Sequence, residues 1–172
     1  IVGVMPGRWL ARLFTPNALW AAPTPKLQNI TSLAATAGLF ALVLIGWFGP
    51  HDPLGNLLPL TIWTLWWVGF VAVQALIGDL WAWLNPWSGL AHRLQRTPPP
   101  FALPAWLGHW PGVIALLAFA VFALVDPAPD DPSRLATFVA LYWLITCAGT
   151  LLFGAETWLS RAECFTILLR LF

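Results

Sequence analysis

Four apolar segments, 31–49, 59–81, 107–125 and 135–158, dominate this sequence, and each is long enough to cross the hydrocarbon layer of a bilayer. A crossing helix takes about 20 residues. Of the 172 residues, 9% are charged and 59% hydrophobic, whereas a soluble domain carries about 25% charged residues. So few charges cannot coat a globule, which excludes a soluble enzyme, a disordered tail and a disulfide scaffold. The net charge of +1 and the lack of a basic stripe leave no nucleic-acid partner to expect. Proline-rich connections stop the helices. They are Gly49-Pro50-His51-Asp52-Pro53, Asn85-Pro86, Thr97-Pro98-Pro99-Pro100, and the run from Asp126 to Pro132.

Basic residues orient the spans. Arg8, Arg12 and Lys26 precede the first, Arg93 and Arg96 separate the second from the third, and Arg161 and Arg170 follow the fourth. Seven of the eight Lys and Arg therefore share one side, and Arg134 stands opposite with Asp52, Asp126, Asp130 and Asp131. The positive-inside rule puts both ends of the chain in the cytoplasm of a bacterium, with the acidic loops outside its inner membrane.

Amphipathic segments flank the spans on the inner side. Residues 1–30 read as a basic cytoplasmic interfacial arm. Asn85 as N-cap and Pro86 at the first helical position predict an interfacial helix over 86–96, with Trp87, Leu90, Ala91 and Leu94 on its apolar face. Ser160-Arg161-Ala162-Glu163 reads as a capping box opening a second helix over 161–172, with Phe165, Leu168, Leu169 and Phe172 apolar. Both are expected to lie in the headgroup layer.

The halves resemble each other. Phe40 and Asp52-Pro53 correspond to Phe119 and Asp131-Pro132, 79 residues on, while Gly78 and Trp87 correspond to Gly154 and Phe165 at 76 and 78. The fold expected is an all-α integral membrane protein. Its four transmembrane helices form two parallel hairpin repeats, 31–97 and 98–172, each closed by an amphipathic cytoplasmic interfacial helix. Any two hydrophobic hairpins share some of this pattern, so duplication and chance likeness both stand at this level.

Several stretches also look similar to a family of uncharacterised bacterial multi-pass membrane proteins that are often automatically named fenitrothion hydrolase. They are Asp52 to Leu57, Trp63 to Gly69, Gly78-Asp79-Leu80-Trp81 with Asn85-Pro86-Trp87, His109-Trp110-Pro111, and Leu151 to Phe165. The resemblance runs from about residue 35 to the end. It implies a multi-pass membrane protein whose relatives continue past this chain's last residue, and by its name a membrane-bound organophosphate hydrolase. The chain departs from the family at Glu163-Cys164, where Asp-Pro is the pattern.

Hydrolysis of phosphotriesters recruits metal ions held by clustered His and carboxylate ligands. His51, His92 and His109 form no such spacing, so neither a metal nor a catalytic residue is expected. Cys147 and Cys164 are poorly placed to pair. Asp79 and Glu156 are the deepest ionisable residues of the predicted spans, each just beyond a glycine near the inner end. They are the candidates for a polar pathway, but as carboxylates near helix C-termini they read more readily as anchors paired with Arg93, Arg96 or Arg161. His109, between Trp106 and Trp110, reads as an interfacial histidine, with ligation of haem or a pigment magnesium as the alternative. Trp66, Trp67 and Trp143 fall near mid-membrane, where packing within the bundle is the first expectation and contact with lipid, a partner protein or a pigment the alternatives.

The function expected is a non-catalytic accessory subunit of a larger bacterial membrane complex, respiratory or photosynthetic, that contacts lipid and other transmembrane subunits. With no Met at its start and an end inside an amphipathic helix, the chain suits a companion of such an assembly. A small-solute transporter using Asp79 and Glu156 is the alternative, and the organophosphate hydrolase is the third. No cofactor is expected beyond lipid, with pigment or haem as a lesser reading.

Overall fold

Asn56 has no exposed surface, and it ties the first two long helices together. Its amide donates to the carbonyls of Ile45 (3.0 Å) and Pro50 (2.7 Å), and its carbonyl oxygen accepts the Leu58 N–H (2.9 Å). The helix before it, α1 (Pro25–Phe48), starts at the Thr24 cap with Pro25 in its first turn, and ends before Gly49-Pro50. The helix after it, α2, is one continuous rod: an opening turn (Leu57–Pro59), a π-helical stretch (Leu60–Phe70) and a closing α-helical stretch (Val71–Ile77). The computed structural model describes residues 24–94 and 98–170, apart from the side chains of Ile77 and His92.

Short helices α3 (Trp81–Leu84) and α4 (Ser88–Leu94) complete the first half. After a 3-10 turn (Ala105–Leu107), the second half contains α5 (Trp110–Val125), α6 (Pro132–Phe153), α7 (Ala155–Arg161) and α8 (Cys164–Leu169). There is no strand among the described residues. Three helices are long and apolar enough to cross a membrane, namely α1, α2 over Leu57–Leu76, and α6. The fourth expected span is the 16-residue α5. At ~1.5 Å per residue it is about 24 Å long, short of the ~30 Å hydrocarbon core.

The boundaries differ from expectation at informative places. The helix placed over 59–81 stops at Ile77, and that over 135–158 stops at Phe153. Each stop is a glycine with positive φ, Gly78 at 116° and Gly154 at 86°, a backbone region that costs any residue with a Cβ. The span expected at 107 starts at Trp110, because Ala105–Leu107 winds as a separate turn that ends at Gly108. Residues 25–30, assigned to the basic arm, are the first turns of α1, while Arg8 and Arg12 lie outside the described residues.

The expected capping box at Ser160–Glu163 does not form. Ser160 lies inside α7 and donates to the Thr157 carbonyl (3.2 Å), and Glu163 itself caps α8. The two helices expected in the headgroup layer fold back against the bundle. Trp87 and Ala91, and Phe165 and Leu169, are buried, whereas Leu94 is exposed. Phe165 reaches Trp66, Phe119 and Tyr142 in the interiors of α2, α5 and α6.

Two apolar clusters hold the bundle. One joins Val43, Leu58, Leu135 and Ala136, where α1, α2 and α6 meet. Gly46 permits that approach, since a Cβ there would sit 2.8 Å from the Ala136 side chain and 2.9 Å from the Pro132 carbonyl. The other cluster is aromatic and gathers Trp81, Trp87, Phe119, Phe165, Cys164 and Leu169.

Candidate functional site

A buried polar network is built at the two helix breaks. After Gly78 the chain turns through α3 to Asn85, and after Gly154 it turns through α7 to Glu163, 78 residues further on. The two buried side chains cap in the same way. The Asn85 carbonyl oxygen accepts the N–H of Trp87 (2.9 Å), and Glu163 Oε1 accepts that of Phe165 (3.0 Å). Glu163 Oε2 also accepts the Thr166 N–H at 2.6 Å. The caps satisfy N–H groups that a helix start leaves unpaired.

Thr166 joins the halves, since its hydroxyl accepts from Trp81 Nε1 (2.9 Å) and Asn85 Nδ2 (3.1 Å). Gln74 makes a second link, donating to the Leu169 carbonyl (2.8 Å) and accepting from the Trp81 N–H (3.0 Å). On the α1 side Ser32 donates to the main-chain carbonyl of Asn85 (2.6 Å) and accepts from the Gly89 N–H (2.8 Å), while Thr36 donates to the main-chain carbonyl of Pro86.

Glu163 has no exposed surface. Burial pushes its carboxyl above the ordinary carboxylate range, although hydrogen bonds from Thr166, Tyr142 and Phe165 pull the other way. The Tyr142 hydroxyl donates to Glu163 Oε1 and lies 3.2 Å from Cys164 Sγ. Burial pushes the Cys164 thiol up to about 12. A thiol in that state is protonated at neutral pH and is a poor nucleophile.

Beside this network lies an apolar cavity of about 310 Å³, walled by both halves of the chain. Trp66 and Phe70 reach it from α2, Trp87 from the turn before α4, Phe119 from α5, Tyr142 from α6 and Phe165 from α8. The rings meet edge to face: Trp66–Phe165 at 4.6 Å, Tyr142–Phe165 at 5.3 Å and Trp87–Tyr142 at 5.6 Å between centroids.

The residues expected to matter fall mostly elsewhere. Asp79 is exposed and accepts the Ala82 N–H (3.0 Å) at the start of α3. Glu156 is exposed in the first turn of α7. Both carboxylates therefore sit at helix N-termini, where the dipole favours negative charge, and not at C-terminal ends. The expected cationic pairing with Arg93 or Arg161 is not made; the one ion pair among the described residues joins Arg134 to Asp126 at 3.1 Å. Arg93 is exposed, Arg161 is half-buried at the end of α7, and Arg96 lies outside the described residues.

His109 is exposed just before α5. Among the described residues no three His, Cys, Asp or Glu gather as metal ligands. Of the tryptophans expected near mid-membrane, Trp66 packs into the aromatic core, Trp67 rests on Phe119 at 5.1 Å, and Trp143 rests on Phe40 at 4.7 Å. Sequence reasoning missed Tyr142 and Thr166, and it gave Glu163 a different task. The 78-residue spacing from Asn85 to Glu163, the same as from Trp87 to Phe165, was the available signal. No protein-family model, curated protein or solved structure matches the chain.

Proposed function

We propose that the chain is a non-catalytic transmembrane subunit of a larger complex in a bacterial inner membrane. It crosses the bilayer four times as two parallel hairpin repeats, with both observed ends cytoplasmic, and works through helix packing and contact with lipid and neighbouring subunits. One observation carries the reading. The buried polar side chains Ser32, Gln74, Asn85, Glu163 and Thr166 are engaged in helix caps and helix-to-helix bonds. Such bonds fix a scaffold's geometry. The outward faces offer apolar side chains such as Phe40, Leu44, Ile114, Leu117 and Leu144 to lipid or to a neighbour.

Three features support the repeat: paired glycine breaks at Gly78 and Gly154, paired caps at Asn85 and Glu163, and tight contacts at related places. In the first half Gly89 lies against Ser32, so closely that a Cβ would be 3.0 Å from it, and in the second Gly112 lies against Ile167. As a span, α5 requires the bilayer to thin by a few Å or flanking residues to bridge the gap, each at modest cost. A transporter using Asp79 and Glu156 is less favoured, because both are exposed at helix starts.

The test is mass spectrometry of the protein's bands on mild-detergent native gels of its own membranes. Stoichiometric co-migration with other membrane subunits is the expected result. Migration as a lone monomer overturns the subunit reading.

A further inference from the structure

We propose that the central cavity binds a lipid-soluble quinone, a flat conjugated ring with carbonyl acceptors on an apolar tail. Its volume of about 310 Å³ is at the lower end of small-molecule sites. Ala35, Gly38, Leu39 and Leu42 of α1 form one wall of the cavity. That helix packs against Leu57–Pro59, α3, α4 and α6. Gly38 marks the mouth, since it is exposed and also lines the cavity, and a Cβ added there would meet nothing within 4 Å. A ligand dissolved in the bilayer therefore reaches the cavity sideways.

The walls favour a flat ring with an acceptor over a plain hydrocarbon chain. Aromatic rings set edge to face offer a conjugated guest both stacking and edge contacts. Trp87 supplies the second argument. Its ring is 4% exposed, and of the four described indole N–H groups that are buried without a partner, those of Trp63, Trp87, Trp143 and Trp158, it is the one whose ring lines this cavity. Trp81, on the same wall, has its acceptor in Thr166. A buried indole N–H usually finds an acceptor. Water is a poor choice, because a buried water wants two to four polar partners. An acyl chain would fill the space and leave the N–H unsatisfied, whereas a quinone carbonyl satisfies it. The inference stands apart from the subunit reading, since a lone protein or a subunit can hold such a site.

The test uses the full chain in nanodiscs of saturated phosphatidylcholine with decylubiquinone as probe. Decylbenzene, with a ring and tail but no carbonyl, is the comparison. Saturable binding of one quinone per chain is expected, with affinity about tenfold weaker for decylbenzene and for Trp87→Phe, the effect of one lost hydrogen bond. The carbonyl stretch of the bound quinone should move to lower frequency in the native protein and not in Trp87→Phe. Gly38→Leu, whose side chain enters open space at the mouth, should keep its helicity and lose binding. If Trp87→Phe fails to fold, Gly38→Leu and the decylbenzene comparison decide. Equal affinity for quinone and decylbenzene would mean a slot for hydrocarbon chains and overturn the proposal, as would the absence of saturable quinone binding.

Discussion

A carboxyl group with no exposed surface links the fold to pH. Glu163 caps α8 through two N–H groups and accepts the Tyr142 hydroxyl. Burial raises its proton affinity above the ordinary value of 4.5. Between that value and the raised one, the folded protein holds a proton that the unfolded chain has lost. The Glu163 contribution to stability is therefore fully present below the ordinary value and is lost as pH rises through that window. Glu163→Gln keeps a side-chain oxygen for the cap and removes the titration, so melting temperatures in detergent should lose this slope. An undiminished slope in the variant would assign the effect to another group. Thr166 has a simpler role. Thr166→Val strands two buried donors, Trp81 Nε1 and Asn85 Nδ2, each costing about 1–3 kcal/mol. A melting temperature equal to that of the native protein would show that those donors find other acceptors. At this scale the sequence was misleading for a definite reason. Depth in an apolar run drew attention to Asp79 and Glu156, but a glycine before each begins a new helix, and the sign of the dipole reverses.

The existence of the long helices was legible because a run of about 20 apolar residues has few other uses. The ends at Ile77 and Phe153 were not, since hydropathy continues through Trp81 to Leu84 after α2 has stopped. Glycine conformation decides those ends. At Gly154, with φ of 86° and ψ of 141°, alanine would occupy a strained backbone, and Gly154→Ala should destabilise by about 1–3 kcal/mol. Gly38 lies inside α1 with open space around its missing Cβ. There alanine improves helix propensity, and Gly38→Ala should stabilise by about 0.5–1 kcal/mol. Denaturation of both variants in one detergent checks the pair. The same sign in both would remove the argument that Gly154 is a stop set by backbone geometry. The short helices illustrate a different limit. An amphipathic pattern reports that one face is apolar, and it is silent on whether that face meets headgroups or a bundle. Phe165 and Trp87 meet the bundle.

At the level of the whole molecule, the break in each half faces the break in the other. Thr166 of the second half accepts from Trp81 and Asn85 of the first, and Gln74 of the first donates to Leu169 of the second. Such mutual capping places both breaks at the same end of the bundle, so the two loops after α1 and α5, at Asp52 and at Asp130, belong at the other end. Charge agrees with geometry. Arg93 and Arg161 lie toward the breaks, while Asp52, Asp126, Asp130 and Asp131 lie in the opposite loops with Arg134, half of an ion pair. Cytoplasmic breaks and external acidic loops follow if the positive-inside rule governs insertion. Single cysteines at Asp52 and Asp130, in a chain with Cys147 and Cys164 replaced, should react with an impermeant maleimide added outside intact cells. A cysteine at Arg93 should react only after lysis. Because mutual capping fixes those two loops to one end, Asp52 and Asp130 must label alike. Opposite labelling would mean an odd number of crossings between them, which would remove either α2 or α5 from the spans, and the 16-residue α5 would be the helix to reassign.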